Sequence, residues 1–429
     1  MGISVLTEPA ILAWPYGNVK NSLWNGWLER LAGARAVAGR HFFAGLCLLS
    51  GRAGGVVDFS RIAPSLSRSR RPGDSPYNLA RPSTAARLPA LTHYRALGRL
   101  FLISAGYVLN LPELIAPISD DMKAVDAVIR SRLDSEVVLI RTIADYIIGA
   151  GGKRMRPAMV LMVARALGYQ GTHHHLLAAV VEFIHTATLL HDDVVDESDM
   201  RRGRDTANAM FGNAASVLVG DYLYSRSFEM MVEAGSMRIM QILSEATTVI
   251  AEGEVLQLLN VHDPDVSQAR YLQVVRYKTA KLFEAAAQVG AVLAGATPEQ
   301  EAAAATYGRH IGTAFQLVDD VLDYSGDATA LGKNVGDDLR EGKPTLPLIW
   351  VMEQGSPAER ELIRQAIQTG DADFAAVAEA IRSTGALEHA QQAALAEADM
   401  ARQALNILPA SIYQKSLLEF CAFAVKRDR

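Results

Sequence analysis

The chain has 429 residues, of which 50% are hydrophobic and 21% charged, and its formal net charge is −5. This apolar content excludes a wholly disordered chain, and the net negative charge gives no reason to expect nucleic acid as a partner. The only cysteines are Cys47 and Cys421, which excludes a disulfide scaffold and a four-cysteine zinc site. No apolar run reaches the roughly 18 residues that a membrane-spanning helix needs.

The charge is divided unevenly along the chain. Residues 1–112 contain 13 Lys and Arg against four acidic residues, whereas the remainder carries a net charge of −14. Pro, Gly, Ser and Arg are scattered through residues 1–112 without a sustained helical or strand period. We expect an Arg-rich extension that is disordered or arises from a start assigned too far upstream. An organellar transit peptide and a regulatory or membrane-docking arm remain alternatives.

Residues 113–429 have the pattern of a helical protein. Apolar residues at i, i+3 and i+4 spacing predict long helices over 120–149, 156–168 and 175–196, and Ala-rich helical segments follow, including 371–405. No alternating β pattern of useful length occurs. The sequence therefore predicts an all-α fold, with a single large helical bundle around one polar centre, for residues 113–429.

Two acidic clusters of the form D-D-x-x-D follow apolar helical runs. The first contains Asp192, Asp193 and Asp196, and the second contains Asp319, Asp320 and Asp323. Residues i and i+4 share a helix face, so each cluster projects its carboxylates together at the end of an apolar stripe. A lone cluster would be interpreted as a solvated helix end. Two clusters predict a Mg²⁺ site that substrate phosphates complete.

A set of cationic residues accompanies these clusters. A glycine turn at 151–152 leads into Lys153, Arg154 and Arg156 at the start of a predicted helix, which is a suitable position for a phosphate. The other cations are Arg201, Arg202, Lys278, Lys333 and Lys343. Each of these cations alone would be interpreted as a surface residue. Only the whole set, together with the two acidic clusters, indicates a functional site.

These motifs together resemble the trans-isoprenyl diphosphate synthases, and most of all the bacterial long-chain members of the octaprenyl type. The resemblance covers about 118–429 and includes GGKRMRP at 151, EFIHTATLLHDDVVDESDMRRG at 182, KTAKLFEAAA at 278, GTAFQLVDDVLDY at 312 and GKNVGDDLREGKPTLPL at 332. It implies an isoprenoid-synthase bundle around a central apolar cavity, with residues 113–429 as the catalytic domain. It also implies a prenyltransferase that elongates an allylic diphosphate, farnesyl diphosphate by preference, with isopentenyl diphosphate.

The resemblance also implies roles for individual residues. It assigns isopentenyl diphosphate to Lys153, Arg156, His185 and Arg202, and the allylic diphosphate to Arg201, Lys278, Thr279, Gln316, Lys333 and Lys343. Two or three Mg²⁺ ions would bind through Asp192, Asp196 and Asp319, with Asp193, Asp320 and Asp323 beside them. Lys278 and the two acidic clusters would form the catalytic group.

Product length is predicted from the residues one turn before the first cluster. Ala187 and Thr188 are both small, whereas short-chain members of the family place aromatic residues there as a floor. This predicts an open tunnel and a long product, with C40 favoured and C45 as the alternative. The competing interpretation is that Ala187 and Thr188 only permit close helix packing.

The resemblance further implies a homodimer in a bacterial cytoplasm that supplies a quinone side chain, as in ubiquinone biosynthesis. Because the product is very apolar, contact with a membrane surface could assist its release. A class I terpene cyclase is less favoured, because it does not need the isopentenyl site. A non-catalytic synthase subunit is less favoured, because it would be expected to lose the acidic clusters.

Overall fold

The computed structural model describes residues 110–149, 151–201, 203–325 and 336–426, so nearly all of the predicted N-terminal extension lies outside the described residues. The α-helices are, in chain order, α1 Leu111–Ile115, α2 Ser119–Arg132, α3 Val138–Gly149, α4 Met155–Ala166, α5 His173–Val195, α6 Ala207–Phe211, α7 Asn213–Glu233, α8 Met237–Asn260, α9 Gln268–Val274, α10 Lys281–Leu293, α11 Pro298–Ser325, α12 Asp337–Arg340, α13 Leu346–Gln354, α14 Pro357–Thr369, α15 Phe374–Ser383, α16 Ala386–Ala404 and α17 Ile412–Lys426. Short 3₁₀ turns cover Ala116–Ile118 and Leu405–Ile407, and a π-helical turn covers Val275–Ala280. The predicted all-α fold is confirmed.

The middle of the bundle is formed by α4, α5, α10 and α11. Ten of the twelve residues of α4 are buried, which is the behaviour of a helix that is apolar on every side. Helix α4 packs against α5 and α10, α5 packs against α7, and α11 packs against α10 and α16. The helices predicted over 156–168 and 175–196 are confirmed as α4 and α5.

Two of the predicted helical segments are interrupted. The helix predicted over 120–149 is wrong as a continuous element, because the chain leaves α2 after Arg132 and enters α3 at Val138. In the gap the Ser135 hydroxyl accepts a hydrogen bond from the Val137 amide (3.2 Å), which is a local alternative to helical backbone pairing. The segment 371–405 is likewise divided into α15 and α16.

One small β element was not predicted. Met200–Arg201 pairs antiparallel with Arg204–Asp205 just beyond the end of α5. This short ladder fixes the backbone that carries Arg201, immediately after the first acidic cluster.

Two glycines allow helices to approach the backbone around Lys278. A Cβ on Gly253 of α8 would lie 2.6 Å from the Lys278 amide nitrogen, and one on Gly308 of α11 would lie 2.3 Å from the Phe283 carbonyl oxygen. The π-helical turn Val275–Ala280 and the start of α10 are therefore held tightly between α8 and α11. Single π-turns within helices often occur at functional sites, and this one carries Lys278 and Thr279.

Candidate active site

The first acidic cluster lies at the C-terminal end of α5, where the helix dipole disfavours negative charge. Asp193 is almost fully buried, and its Oδ1 accepts hydrogen bonds from Arg201 Nε (2.8 Å) and Nη2 (2.7 Å). Its Oδ2 is buried without a hydrogen-bond partner. Burial raises the pKa of Asp193, and the Arg201 charge opposes that rise. Asp193 therefore ties the β element to α5 and leaves one carboxylate oxygen unsatisfied.

Lys278 faces the first cluster from the π-helical turn. Its Nζ lies 2.6 Å from Glu254 Oε2 and 3.8 Å from Asp192 Oδ2. Burial and the negative charge of Asp192 raise the pKa of Glu254 to about 7. Burial alone would lower the pKa of Lys278, but the charges of Asp192 and Glu254 outweigh it, and the pKa is raised. The ammonium group is thus held protonated between carboxylates.

Lys343 provides a second cation on the same cluster. Its Nζ lies 2.9 Å from Asp196 Oδ2 and also contacts Glu341. The pKa of Lys343 is raised because the charges of Asp196 and Glu341 outweigh the effect of burial. Asp192 and Asp196 therefore each face a lysine from a different part of the chain.

The second acidic cluster lies near the C-terminal end of α11. Asp320 is buried, and it accepts hydrogen bonds from the Tyr271 hydroxyl and from Gln316 Nε2 (2.9 Å). Burial and the negative charge of Asp338 raise the pKa of Asp320 to about 8. Asp323 is also buried, and its Oδ2 accepts from the Asp338 amide (3.3 Å). Asp319 is the partly exposed member of this cluster.

Two consecutive residues of the π-helical turn, Lys278 and Thr279, lie towards different acidic clusters. The Thr279 hydroxyl donates to Gln316 Oε1 (3.0 Å), while Gln316 donates to Asp320. Thr279 follows Lys278, which faces Asp192. One turn of the chain therefore contacts both D-D-x-x-D motifs, with Lys278 at Asp192 and Thr279 connected to Asp320 through Gln316.

The cations of the glycine turn lie against aromatic rings. Lys153 Nζ is 5.4 Å from the ring centre of Phe315, and the Arg156 guanidinium carbon is 4.2 Å from that of Phe283. Arg156 Nη1 also donates to His185 Nε2 (3.2 Å). Arg156 therefore contacts His185, and Lys153 lies on the neighbouring ring, since the centres of Phe283 and Phe315 are 5.9 Å apart. Phe315 precedes Gln316 in α11.

Arg154 has a different role from its neighbours in the turn. It adopts a left-handed backbone conformation (φ 48°) before α4, and its guanidinium lies 3.0 Å from Glu182 of α5. This ion pair fastens the turn to the bundle, so Arg154 positions the neighbouring Lys153 and Arg156.

The structure does not test four of the predicted residues. Arg202 and Lys333 lie outside the residues that the structure describes. Ala187 is fully buried, and the Thr188 hydroxyl donates to the His185 carbonyl within α5 (2.8 Å). The role of Ala187 and Thr188 in product length stays a prediction.

Sequence reasoning missed several residues of the site. Glu254 lies within the EGEVLQL segment and supplies a carboxylate beside Lys278; Tyr271 anchors Asp320; Phe283 and Phe315 provide the rings under the cations. Only Glu254 had a signal that could have been used, because an acidic residue after Gly253 interrupts a largely apolar helix.

The donor set fits a hard divalent cation. The partly exposed groups at the first cluster are carboxylate oxygens, which Mg²⁺ and Ca²⁺ prefer. Asp192 and Asp196 lie one helical turn apart, so their like charges repel each other, and the charge of Asp192 also adds to the effect of burial in raising the pKa of Glu254. A divalent ion held by Asp192 and Asp196 would relieve this repulsion.

Comparisons with known proteins identify relatives of this chain. The model of the polyprenyl synthetase family matches residues 137–384. The octaprenyl diphosphate synthase of Escherichia coli K12 is 53% identical over 323 residues, which cover 75% of this chain and all of that protein. The all-trans-nonaprenyl-diphosphate synthase (geranyl-diphosphate specific) of Rhodobacter capsulatus is 45% identical over 73% of this chain and 97% of its own length.

A solved structure has the same fold. The polyprenyl synthase of Caulobacter crescentus CB15, complexed with calcium and isoprenyl diphosphate, matches with a TM-score of 0.73 and 46% identity. The match covers 76% of this chain and all of that one.

Proposed function

The chain belongs to the polyprenyl synthetase family, and from this premise we propose that it adds isopentenyl diphosphate units to an allylic diphosphate, giving a product of about C40. It is a long-chain prenyltransferase of the trans type. The observation that carries the proposal is that two consecutive residues contact both acidic clusters, Lys278 at Asp192 and Thr279 at Asp320 through Gln316.

We assign two neighbouring diphosphate sites to this network. Lys153, Arg156 and His185 would bind isopentenyl diphosphate, with Arg202 as a fourth group. Arg201, Lys278, Thr279, Gln316, Lys333 and Lys343 would bind the allylic diphosphate. Because Lys278 and Lys343 now neutralise carboxylates, substrate binding would transfer these ammonium groups from carboxylate to phosphate oxygens.

Magnesium is the proposed metal, bound as two or three ions together with the substrate diphosphate through Asp192, Asp196 and Asp319. When bound, it would neutralise the negative charge that develops on the leaving diphosphate. Asp193 and Asp320, which are buried and hydrogen-bonded to Arg201 and Tyr271, would hold the clusters in position. Asp323 would do the same through its contact with the Asp338 amide.

The proposed reaction uses no nucleophilic side chain, but it requires that water be excluded from the carbocation. Loss of diphosphate from the allylic substrate leaves a cation that the isopentenyl double bond attacks, and a proton is then lost. Lys278 and Arg201 would stabilise the departing diphosphate, while the apolar surroundings of α4 and α5 would keep water from the cation.

The length of the product is proposed from the relatives and from Ala187 and Thr188. The E. coli relative is an octaprenyl synthase and the R. capsulatus relative a nonaprenyl synthase. We favour C40 over C45 because the identity is higher with the former, and small Ala187 and Thr188 are compatible with either. Supply of a quinone side chain would be the role in the cell.

We also propose a homodimer. Among the described helices, α7 and α8 expose large apolar residues, including Leu218 (67% exposed), Val232 (64%) and Met237 (78%). Val255, Leu258 and Leu259 share one face of α8 and are exposed as well. A second copy of this chain would cover such a surface, because apolar side chains at this density are typical of subunit interfaces.

In the part of the chain that the structure describes, no helix has both the length and the apolar character to cross a membrane. We propose a cytoplasmic enzyme that contacts the membrane surface only to release its apolar product.

Incorporation of labelled isopentenyl diphosphate into allylic products, in the presence of Mg²⁺, tests the proposed site. Replacing Asp192→Asn removes one negative charge from the first cluster and should lower incorporation roughly 100-fold. Asp145→Asn, at an exposed position of α3, is the matched control and should leave the rate unchanged. Equal rates for Asp192→Asn and the wild type would contradict the assignment. Release of diphosphate from the allylic substrate alone, without incorporation, would instead indicate the cyclase.

A further inference from the structure

A second cluster of potential metal ligands lies at the other end of α5. Three consecutive histidines, His173 to His175, open this helix. His174 Nε2 lies 3.1 Å and His175 Nε2 lies 2.8 Å from the same atom, Asp121 Oδ1 of α2. His173 is exposed and takes no part in the cluster.

The separations of these three atoms are those of metal ligands. All of them lie within 4.8 Å of one another. Two ligands bound tetrahedrally to zinc at about 2.0 to 2.1 Å are roughly 3.3 Å apart, so only small movements are needed to admit an ion. Two imidazoles and one carboxylate form a donor set that binds zinc and neighbouring transition metals well.

Several nitrogen atoms converge on Asp121. Arg165 of α4 contacts both oxygens, with Nε 3.1 Å from Oδ2 and Nη2 2.7 Å from Oδ1. Oδ1 is therefore approached by one guanidinium N–H and by two imidazole nitrogens, and it has two lone pairs. An ion bound between Oδ1 and the two imidazole nitrogens would replace the two direct imidazole contacts, while Arg165 would stay on Oδ2 as an orienting contact.

The cluster is mostly buried, but one side of it is open enough for an ion to enter. His174 has no exposed surface, and its Nδ1 is buried without a hydrogen-bond partner. The side chains of Asp121 and His175 are 13% and 16% exposed, so the cluster opens to solvent on one side. Water could take the remaining coordination position there.

We propose that Asp121, His174 and His175 bind one divalent transition metal ion, with Zn²⁺ as the best fit. The site is separate from the proposed catalytic clusters, because 18 residues of α5, roughly 27 Å of helix, separate His174 from Asp192. The ion would fasten α2 to the start of α5, and Arg165 would extend this connection to α4.

Zinc titration of the full-length protein tests the site. The protein is first stripped with a chelator, and excess Mg²⁺ is then added so that the carboxylate clusters of the active site are occupied. Binding of Zn²⁺ is measured by competition with a chromogenic chelator, and Co²⁺ is used as a spectroscopic probe of histidine coordination. The variants are His175→Ala and Asp121→Asn, and the matched control is His173→Ala.

We expect wild type and His173→Ala to bind one Zn²⁺ that Mg²⁺ does not displace, and each test variant to bind at least about 10-fold more weakly. Zinc should also raise the melting temperature of wild type and His173→Ala, and not that of the test variants. Circular dichroism verifies that each variant folds, and His175→Gln replaces His175→Ala if the latter does not. Absence of a Mg²⁺-resistant zinc site, or unchanged affinity in the test variants, would overturn the proposal.

Discussion

Glu254 shows how strongly the first acidic cluster affects a single side chain. Its carboxylate contacts Lys278, which also faces Asp192, and burial together with the charge of Asp192 raises its pKa to about 7. A carboxyl group whose pKa is higher in the folded than in the unfolded state stabilises the fold below the unfolded value. This contribution is lost as the pH rises through the folded pKa.

This gives a pH prediction for the metal-free protein. Glu254→Gln removes the group that must ionise, so the variant should gain melting temperature relative to wild type as the pH rises from about 5 to about 8. The measurement is thermal unfolding of both proteins in chelator across that range. Saturating Mg²⁺ should reduce the difference, because the ion neutralises the neighbouring carboxylates. A pH-independent difference in melting temperature would contradict the electrostatic account.

The contact between Asp193 and Arg201 orients the Arg201 side chain. Asp193 is buried, and Arg201 contacts it with two nitrogen atoms. Arg201 is therefore oriented by the acidic cluster itself, so a later contact with diphosphate would require little further ordering of its side chain.

At the scale of helices, close backbone contact fixes the geometry of the site. Gly308→Ala would place a methyl group 2.3 Å from the Phe283 carbonyl oxygen, so α10 and α11 would have to separate. We expect a loss of about 1 to 3 kcal/mol in the free energy of unfolding. The accompanying shift of Phe283 and Lys278 should lower activity as well.

The matched control for this prediction is Gly149→Ala at the end of α3, where a new Cβ would meet nothing within 4 Å. It should be neutral or slightly stabilising, since Ala favours helix over Gly. Chemical denaturation of both variants measures the effect. Equal stability of Gly308→Ala and wild type would show that α10 and α11 are not closely constrained there.

The helices whose apolar periodicity is uninterrupted could be predicted from the sequence. The breaks between helices and the contacts between them were predicted less well. The bounds of α4 and α5 were predicted to within two residues at each end. The structure places Arg156 beside His185, and the role of these residues in binding isopentenyl diphosphate stays a prediction. The break between α2 and α3 was missed, because it depends on local hydrogen bonding at Ser135 rather than on periodicity. Glu254, Tyr271 and Phe283 were missed because their roles depend on which helices lie beside them.

At the scale of the whole molecule, the Arg-rich N-terminal quarter of the chain differs in charge from the rest. The E. coli relative is matched over its full length by 75% of this chain. The first described helix, α1, begins at Leu111, and its cap Asn110 accepts a hydrogen bond from the Glu113 amide. We therefore propose that residues 1–109 are dispensable for folding and chemistry.

Truncation tests this proposal. A chain that begins at Asn110 should retain the melting temperature and activity of the full-length protein. A chain that begins after Ile118 is the control, because it lacks the buried side chains of Leu114 and Ile118 and should melt at a lower temperature. Loss of activity on removal of residues 1–109 alone would show that the extension contributes to function.

The length of the product tests the central claim most directly. The purified protein is incubated with farnesyl diphosphate, labelled isopentenyl diphosphate and Mg²⁺, and the dephosphorylated products are separated by reversed-phase chromatography. We predict a main product of C40, with C45 as the neighbouring length. Failure to incorporate label, or a product that stops at C20 or below, would contradict the assignment as a long-chain synthase.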